Sequence, residues 1–133
     1  MGHHLELRVY YEDTDFSGRV YHASYLRFLE RGRTEWLRRL GYQHSALSAE
    51  TGTVFAVSSL QIEFLKPALM DDVLRIVTRM DGTEGARIVF RQEVQRGAER
   101  LASASVKVVA LRGDRPVRPP RELMESLRER GDS

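Results

Sequence analysis

Apolar and polar positions alternate along five stretches of the chain, and this period of two predicts five β-strands. The stretches are residues 5–11, 54–65, 72–80, 86–96 and 100–112. Residues with turn chemistry separate or follow the last four: Lys66-Pro67, Asp81-Gly82, Arg96-Gly97 and Gly113-Asp114. Because short connections join long strands, we expect neighbouring strands to run antiparallel.

A different period appears between the first strand and the others. From His22 to Leu40, apolar residues recur at spacings of three and four, which predicts a long amphipathic helix. Gly41 is suited to end that helix. Residues 44–52 predict a short second helix or a turn. Because the apolar stripe of the long helix is wide, we expect at least one of its faces to be buried.

The C-terminal part of the chain predicts an end to the sheet and a last helix. The proline-rich residues 115–120 are expected to stop the fifth strand, and residues 121–130 to form a short terminal helix. No repeat or domain boundary is visible, so residues 1–133 are predicted to form one α+β domain, an antiparallel sheet of five strands on one long helix. One helix covers a single face of such a sheet, which predicts a homo-oligomer.

Composition narrows the classes of function. The net charge of +2 is too small to indicate a nucleic-acid partner. The chain has no cysteine, which excludes disulfides, thiol nucleophiles and thiolate metal sites. No apolar run approaches the length of a transmembrane segment and no signal peptide is visible, so a cytoplasmic location is expected.

Candidate chemistry concentrates in the loop between the first strand and the long helix. Glu12, Asp13 and Asp15 crowd into four positions, ahead of Gly18 and the helix start at His22. A glycine permits a sharp turn and close approach of a ligand, and the first turn of a helix presents unpaired N–H groups. A carboxylate beside such donors is the minimum for acyl transfer, because the carboxylate attacks or activates water while the amides hold the developing oxygen charge.

Three other interpretations fit the same loop. Acidic residues ahead of a helix commonly only cap it or complement its dipole. The three acids and His22 could bind a hard cation, although acids so close in sequence need a tightly wrapped loop to reach one ion. Residues 13–17 loosely fit the Asp-x-Asp-x-Thr pattern of haloacid-type phosphatases, but that fold needs a parallel sheet, and residues 54–112 indicate an antiparallel one.

The same loop carries a family motif. The chain contains Asp13-Thr14-Asp15, then Gly18, then Val20-Tyr21-His22 and Tyr25. This pattern, within residues 9–42, closely resembles the N-terminal signature of hotdog-fold acyl-CoA thioesterases of the 4-hydroxybenzoyl-CoA thioesterase-like group, especially the branch associated with the bacterial Tol–Pal system. Residues 30–38, residues 63–72 and the last strand are also similar. Three positions depart from the small or aliphatic residues common in the family, which bears on substrate shape: Phe16, Ser17 and Arg19.

The resemblance implies a fold, an assembly and a mechanism. In a hotdog fold the antiparallel sheet wraps the long helix, and two protomers form a dimer, which can pair into a tetramer, with active sites at the dimer interface. The catalytic carboxylate of the family matches Asp15, as nucleophile or general base. The oxyanion donor matches the backbone N–H of His22, whose side chain would line the site. No metal or organic cofactor is implied, and Asp13 is expected to cap the loop or pair with an arginine.

Further site residues also follow from the resemblance. Gly18 and Tyr25 belong to the motif, and Tyr25 is expected to pack with a tethered hydroxyl. Residues of the second predicted strand are expected to approach the partner's site and line the acyl pocket: Val57, Ser58 and Ser59. Lys66 and Arg87 are candidate contacts for the phosphates of coenzyme A, although each is also explained as an ordinary surface cation.

The sequence therefore predicts a cytoplasmic hotdog acyl-CoA thioesterase that releases coenzyme A and a free acid. A thioester suits a weak aspartate nucleophile because the thiolate leaves readily. One alternative is a non-catalytic acyl-binding or partner-docking protein with the same fold. Another is a thioesterase that acts on acyl-carrier protein, an acidic partner that an arginine-rich chain could dock.

Overall fold

The computed structural model describes residues 2–129, and within them the chain forms one six-stranded sheet and three α-helices. The strands are β1 (His3–Arg8), β2 (Thr53–Phe64), β3 (Val73–Glu84), β4 (Arg87–Arg96), β5 (Glu99–Arg112) and β6 (Arg115–Val117). The helices are α1 (His22–Arg39), α2 (His44–Thr51) and α3 (Arg121–Glu129), and a 3-10 turn covers Tyr11–Asp13. Over this part of the chain, no helix is long and apolar enough to cross a membrane.

The sheet is antiparallel throughout and follows the order β1-β3-β4-β5-β2. β6 pairs with the end of β5, beyond the last residue that β4 reaches. Along β4, the buried positions Ile88, Phe90, Gln92 and Val94 alternate with partly exposed ones, as the period of two predicts. β1 and β2 form the two edges, and the haloacid-type interpretation is wrong because its sheet would be parallel.

The buried side of α1 packs against this sheet. Its buried apolar positions recur every three or four residues: Tyr25, Phe28, Leu29, Trp36 and Leu37. Gly32 lies where the helix contacts the sheet, since a Cβ there would be 2.8 Å from Cγ2 of Ile76 and 2.9 Å from Oγ1 of Thr78. A glycine allows this close approach. The predicted architecture, one antiparallel sheet on one long helix, is confirmed.

α1 ends with a glycine, as predicted. The N–H of Gly41 donates to the carbonyl of Arg38 at 3.0 Å, and the N–H of Tyr42 donates to the carbonyl of Leu37 at 2.8 Å. This pair of bonds is the Schellman arrangement, and it needs a left-handed residue. Gly41 has a φ of 95° and supplies it.

Several predicted boundaries differ from the structure. β1 spans His3–Arg8 rather than residues 5–11, because Oδ2 of Asp13 accepts the N–H of Tyr10 at 2.8 Å and holds the chain in the 3-10 turn. α3 begins at residue 121 as predicted, but residue 130, where the predicted helix ends, lies outside the described residues.

One predicted turn was wrong, and the fifth strand ends at Arg112, ahead of the proline-rich residues, without ending the sheet. Asp81-Gly82 lies inside β3, which runs on to Glu84 through a register shift between Met80 and Gly82. A bulge lets a strand pass through such a dipeptide, so the turn falls later, at Gly85-Ala86. Arg115–Val117 does not stop the sheet but adds β6 through a hairpin at Gly113-Asp114. Proline is tolerated there because β6 is a short outer strand.

Candidate active site

Backbone hydrogen bonds hold the acidic loop in a tight turn. The N–H of Asp15 donates to the carbonyl of Arg19 at 2.8 Å, and the N–H of Gly18 donates to the carbonyl of Asp15 at 3.1 Å. Gly18 has a φ of 85°, and a Cβ at this position would meet nothing within 4 Å. The glycine is therefore required for its left-handed backbone and not for space. Phe16 projects from the turn and is fully exposed.

The turn is anchored on residues 66–70, which follow β2. The N–H of Val20 donates to the carbonyl of Ala68 at 2.9 Å, and the N–H of Met70 donates to the carbonyl of Gly18 at 3.0 Å. The hydroxyl of Tyr25 accepts the N–H of Ala68 at 3.0 Å. Tyr25 is buried, and this burial raises its pKa. The prediction that Tyr25 packs with a tethered hydroxyl is confirmed.

Asp13 holds the loop in place through hydrogen bonds to its side chain and to its carbonyl. Its buried side chain accepts the N–H of Tyr10 at 2.8 Å and Nη2 of Arg27 at 2.9 Å. Its carbonyl accepts the N–H of Tyr21 and the hydroxyl of Ser24, both at 3.0 Å. The prediction that Asp13 caps the loop and pairs with an arginine is therefore confirmed.

We expect Asp13→Asn to lower the free energy of unfolding by about 1–3 kcal/mol, the range for a buried acceptor that loses a charge-assisted bond. Most of the effect should come from the Tyr10 bond, because the Arg27 side chain is 53% exposed and solvent screens its ion pair. Urea denaturation followed by circular dichroism measures the change. Glu12→Gln, in the same loop and exposed, is the matched control and should shift the value by less than about 0.5 kcal/mol. Equal midpoints for the two variants would contradict the supporting role.

Asp15 is an exposed carboxylate of the loop. Its Oδ1 accepts two hydrogen bonds from Ser17, from Oγ at 2.5 Å and from N–H at 2.8 Å. These bonds, the hydroxyl first, hold the pKa of Asp15 below its ordinary value, so the group is ionised at neutral pH. Neither of these bonds reaches Oδ2 of Asp15. One carboxylate oxygen is therefore open to a ligand.

The start of α1 lies at the same cleft. The helix begins at His22, and its N-cap residue, Tyr21, makes no side-chain hydrogen bond to the first turn. The first N–H groups of a helix have no partner within it, so donors remain available here. The imidazole of His22 stacks on the ring of Phe64 from β2, with centroids 4.2 Å apart and planes 20° apart. This stacking fixes the orientation of the imidazole.

One cleft of about 470 Å³ brings these groups together. Four of the nine predicted site residues line it: Asp15, His22, Tyr25 and Lys66. Gly18 lies in the adjacent turn. Residues that the sequence analysis did not assign to the site also line the cleft, among them Tyr21, Phe64 and Pro67.

Lys66 is engaged in an ion-pair network next to the cleft. Its Nζ lies 2.7 Å from Oε2 of Glu99. The other carboxylate oxygen, Oε1 of Glu99, lies 2.8 Å from Nη2 of Arg96. Arg96 in turn pairs with Asp72 at 2.7 Å. Hydrogen bonds from Lys66 and then Arg96 lower the pKa of Glu99 to about 2. To bind a phosphate, as the sequence predicts, Lys66 would have to share or exchange this pair.

The predicted residues of β2 lie away from this cleft in the same chain. Val57 lines a second cleft of about 200 Å³ between α1 and the sheet. Ser58 is the extra residue of a bulge in β2, and its hydroxyl donates to the carbonyl of Lys107 at 3.2 Å. Ser59 is exposed. A single chain therefore does not bring these three residues to Asp15.

Arg87 also lies apart from Asp15. It lines a cleft of about 850 Å³ between the β3–β4 turn and α3, together with Arg118, Arg121 and Arg128. The Asp15 cleft lies near the other end of β3, and a strand of this length spans roughly 35–40 Å. Joining the two regions in one site would require a second chain or a long ligand.

The residues considered for a cation do not converge. Asp13 is directed inward to Arg27, while Asp15 is exposed on the turn. Among the side chains that the structure describes, no group of three or more His, Asp or Glu is arranged to hold a metal ion. The arrangement of donors therefore does not favour the cation interpretation.

Comparison with known proteins shows the family of the chain. The sequence pattern of the thioesterase-like superfamily matches residues 9–127. The chain belongs to this superfamily. It is 43% identical over 124 residues to the acyl-CoA thioesterase YbgC of Haemophilus influenzae, covering 92% of this chain and 91% of that protein. It is 42% identical over 122 residues to the acyl-CoA thioester hydrolase YbgC of Escherichia coli, covering 91% and 89%.

Solved structures of the thioesterase-like superfamily share the fold. The crystal structure of a probable thioesterase from Bartonella henselae aligns with a TM-score of 0.86 at 39% identity, over 90% of this chain and 100% of that one. The predicted family and the predicted hotdog fold are thus both confirmed. Assignment to the Tol–Pal-associated branch stays a prediction.

Ser17 and Phe64 were not predicted as contacts of the candidate catalytic residues. A local signal for Ser17 existed, since aspartate side chains commonly bond the backbone two residues further on. Phe64 had no such signal, because its stacking on His22 joins residues that are distant in sequence and meet only in the folded chain.

Proposed function

We propose that this protein is an acyl-CoA thioesterase that hydrolyses an acyl-CoA to coenzyme A and a carboxylic acid. The observation that carries the proposal is the cleft in which ionised Asp15 lies with the uncapped start of α1. A thioester hydrolase needs a nucleophile or base at the carbonyl carbon and donors at the carbonyl oxygen. The chain is a thioester hydrolase of the thioesterase-like superfamily, and relatives named for acyl-CoA supply the substrate class.

Asp15 can act in two ways. As a nucleophile, its carboxylate oxygen adds to the thioester carbon, the thiolate of coenzyme A leaves and takes a proton, and water then hydrolyses the mixed anhydride. As a general base, Asp15 removes a proton from water while the water oxygen adds to the same carbon, and the thiolate leaves afterwards. Both routes use Oδ2 of Asp15, the oxygen that accepts neither bond from Ser17.

The start of α1 would stabilise the carbonyl oxygen of the thioester. As the carbonyl carbon becomes tetrahedral, negative charge develops on its oxygen, and backbone N–H groups that are already oriented stabilise that charge without reorganisation. The backbone N–H of His22 is the proposed oxyanion donor. Its imidazole, stacked on Phe64, orients water or the acyl group in the cleft.

A second copy of the chain completes the proposed site. β2 is an edge strand of 12 residues, and its Val54 and Val57 side chains are exposed. Antiparallel pairing of two β2 edges would bring the Thr53 end of one strand to the Phe64 end of the other, beside the His22 stack. The middle of each strand, which holds Val57, Ser58 and Ser59, would lie against the middle of the other, and these residues are proposed to approach the partner's Asp15 cleft from there.

We expect the protein to be an obligate dimer, which can pair into a tetramer. Sedimentation velocity at micromolar concentration should give at least twice the mass of one chain. A Ser59→Pro variant, in the middle of the β2 edge strand, should weaken association and activity together, because proline cannot donate a strand hydrogen bond. A compact monomer with full activity would contradict both the assembly and the shared site.

The basic cleft at Arg87 favours a second candidate substrate. It is lined by four arginines and one glutamate, and Glu125 already pairs with Arg121 at 3.3 Å. A surface of this charge suits an acidic macromolecule, which makes an acyl-carrier-protein thioester the alternative substrate. The same charges would also suit the phosphates of coenzyme A.

The deciding experiment is a hydrolysis panel in which free thiol is detected. Acyl-CoAs of differing length and aromatic character are compared with the same acyl groups on acyl-carrier protein, with and without EDTA. Turnover of acyl-CoA that EDTA does not change supports the proposal. Preference for the carrier-protein thioesters selects the alternative substrate. Tight binding without turnover would identify a non-catalytic acyl-binding protein, and an EDTA loss restored by one divalent ion would revive the metal interpretation.

A further inference from the structure

Ser17 makes two hydrogen bonds to the side chain of Asp15. The N–H and the hydroxyl of Ser17 converge on one atom, Oδ1 of Asp15, at 2.8 Å and 2.5 Å. The second carboxylate oxygen receives neither bond. The carboxylate is exposed on a turn, where its side chain would otherwise rotate freely, so these two bonds determine which oxygen remains open.

We propose that Ser17 is a positioning residue, which binds Oδ1 of Asp15 through two hydrogen bonds and so holds Oδ2 as the reacting oxygen. The inference rests on the proposed role of Asp15 in thioester hydrolysis. It concerns how that carboxylate is held and not whether it reacts. Ser17 itself forms no bond to the substrate in this scheme.

Other charged and titratable groups also face Asp15, and each acts on it in a different way from Ser17. Arg19 acts on Asp15 through space and through a backbone bond, and it contributes less to the lowered pKa than Ser17 does. Lys66 lines the same cleft but is paired with Glu99, and His22 is stacked on Phe64. The hydroxyls of Tyr21 and Tyr25 complete the titratable groups of the cleft.

Loss of the Ser17 hydroxyl should have two opposing effects on rate. The carboxylate becomes less well oriented, which slows the reaction. The carboxylate also becomes more basic, which strengthens it as a base or nucleophile. The maximal rate above the acid limb should therefore change by less than about tenfold, since the backbone N–H at position 17 remains as a donor.

The pH profile separates this role from a merely structural one. Ser17 bonds the ionised form of Asp15 and stabilises it, so removing the hydroxyl raises the pKa of the carboxyl. In S17A the acid limb of kcat/KM should move to higher pH, and S17T, which keeps a hydroxyl, should return it toward the wild-type position. S45A, an exposed serine of α2, is the matched control and should leave the profile unchanged.

A second measurement does not depend on turnover. The side-chain carboxyl of Asp15 is titrated by NMR in wild type, S17A and S45A, and the midpoint should rise in S17A alone. The proposal is overturned if the midpoint and the acid limb are the same in S17A and wild type. It is equally overturned if S17A, while folded, abolishes turnover at every pH, because Ser17 would then take part in the reaction itself.

D15N distinguishes failure of this inference from failure of the proposed function. An inactive D15N together with unchanged S17A profiles rejects the positioning role alone. An active D15N rejects the catalytic role of Asp15, and with it the role of Ser17, whatever the S17A titration shows. An inactive D15N with a raised acid limb in S17A supports both.

Discussion

Replacing Asp15 by asparagine is expected to lower kcat for acyl-CoA hydrolysis by at least about a hundredfold, the low end for loss of a general base. The amide is nearly the same size, and its oxygen can still accept the two bonds from Ser17, so the turn should keep its conformation. The amide can neither attack a thioester nor accept a proton from water at neutral pH. The donors at the start of α1 remain, so KM should change much less than kcat.

Asp13→Asn is the comparison that makes this result specific. It makes the same chemical change two residues earlier, at a carboxylate that is buried and bonded to Tyr10 and Arg27. The Asp13→Asn protein should be less stable than wild type, and it should keep more turnover than the Asp15→Asn protein. Steady-state kinetics with thiol detection and circular dichroism are needed for both variants. Near wild-type hydrolysis by Asp15→Asn, or an inactive but folded Asp13→Asn, would show that the catalytic carboxylate was assigned wrongly.

The sequence predicted the main elements because their signals are local. The alternation along β4 and the spacing along α1 both reflect one buried face, and each can be recognised within a single element. The end of α1 was likewise predictable, since Gly41 supplies the left-handed residue that its Schellman bonds need. Signals of this kind do not depend on which other part of the chain covers the face.

Boundaries failed where a second interaction overrode the pattern that predicted them. Asp81-Gly82 is typical of a tight turn, yet β3 continues through it because pairing with β4 extends on both sides of a register shift. β1 ends early because the side chain of Asp13 binds the backbone at Tyr10. In each case the competing interaction could not be predicted from the dipeptide or the alternation alone.

The candidate site was predicted unevenly for the same reason. Asp15 and His22 follow from a family motif that lies within one short stretch, and the structure places both in one cleft. Residues that belong to distant elements, such as Val57 and Arg87, lie in other clefts of the chain. Only assembly with a second chain could bring these residues to Asp15. Within one chain, the sign of such assembly is the exposed edge of the sheet.

Gln92 is a buried polar residue that the sequence analysis did not single out. Alternation along β4 already placed it on the inward face, between Phe90 and Val94. In the structure its Nε2 donates to the carbonyl of Leu29 at 2.9 Å and to Oγ1 of Thr78 at 2.8 Å, and its Oε1 accepts Nη1 of Arg33 at 2.9 Å. One side chain therefore joins α1 to two strands through three hydrogen bonds.

Gln92→Leu is expected to lower the free energy of unfolding by about 3 kcal/mol, because it leaves buried polar groups unpaired. The affected groups include the guanidinium of Arg33, whose pKa is lowered by burial and which would lose its bond to Gln92. Urea denaturation at one fixed protein concentration measures the change, since association would otherwise shift the midpoint. Gln95→Leu, on the same strand but partly exposed, is the matched control and should change the value by less than about 0.5 kcal/mol. If Gln92→Leu unfolds within about 1 kcal/mol of wild type, the buried bonds between α1 and the sheet contribute far less to stability than their geometry indicates.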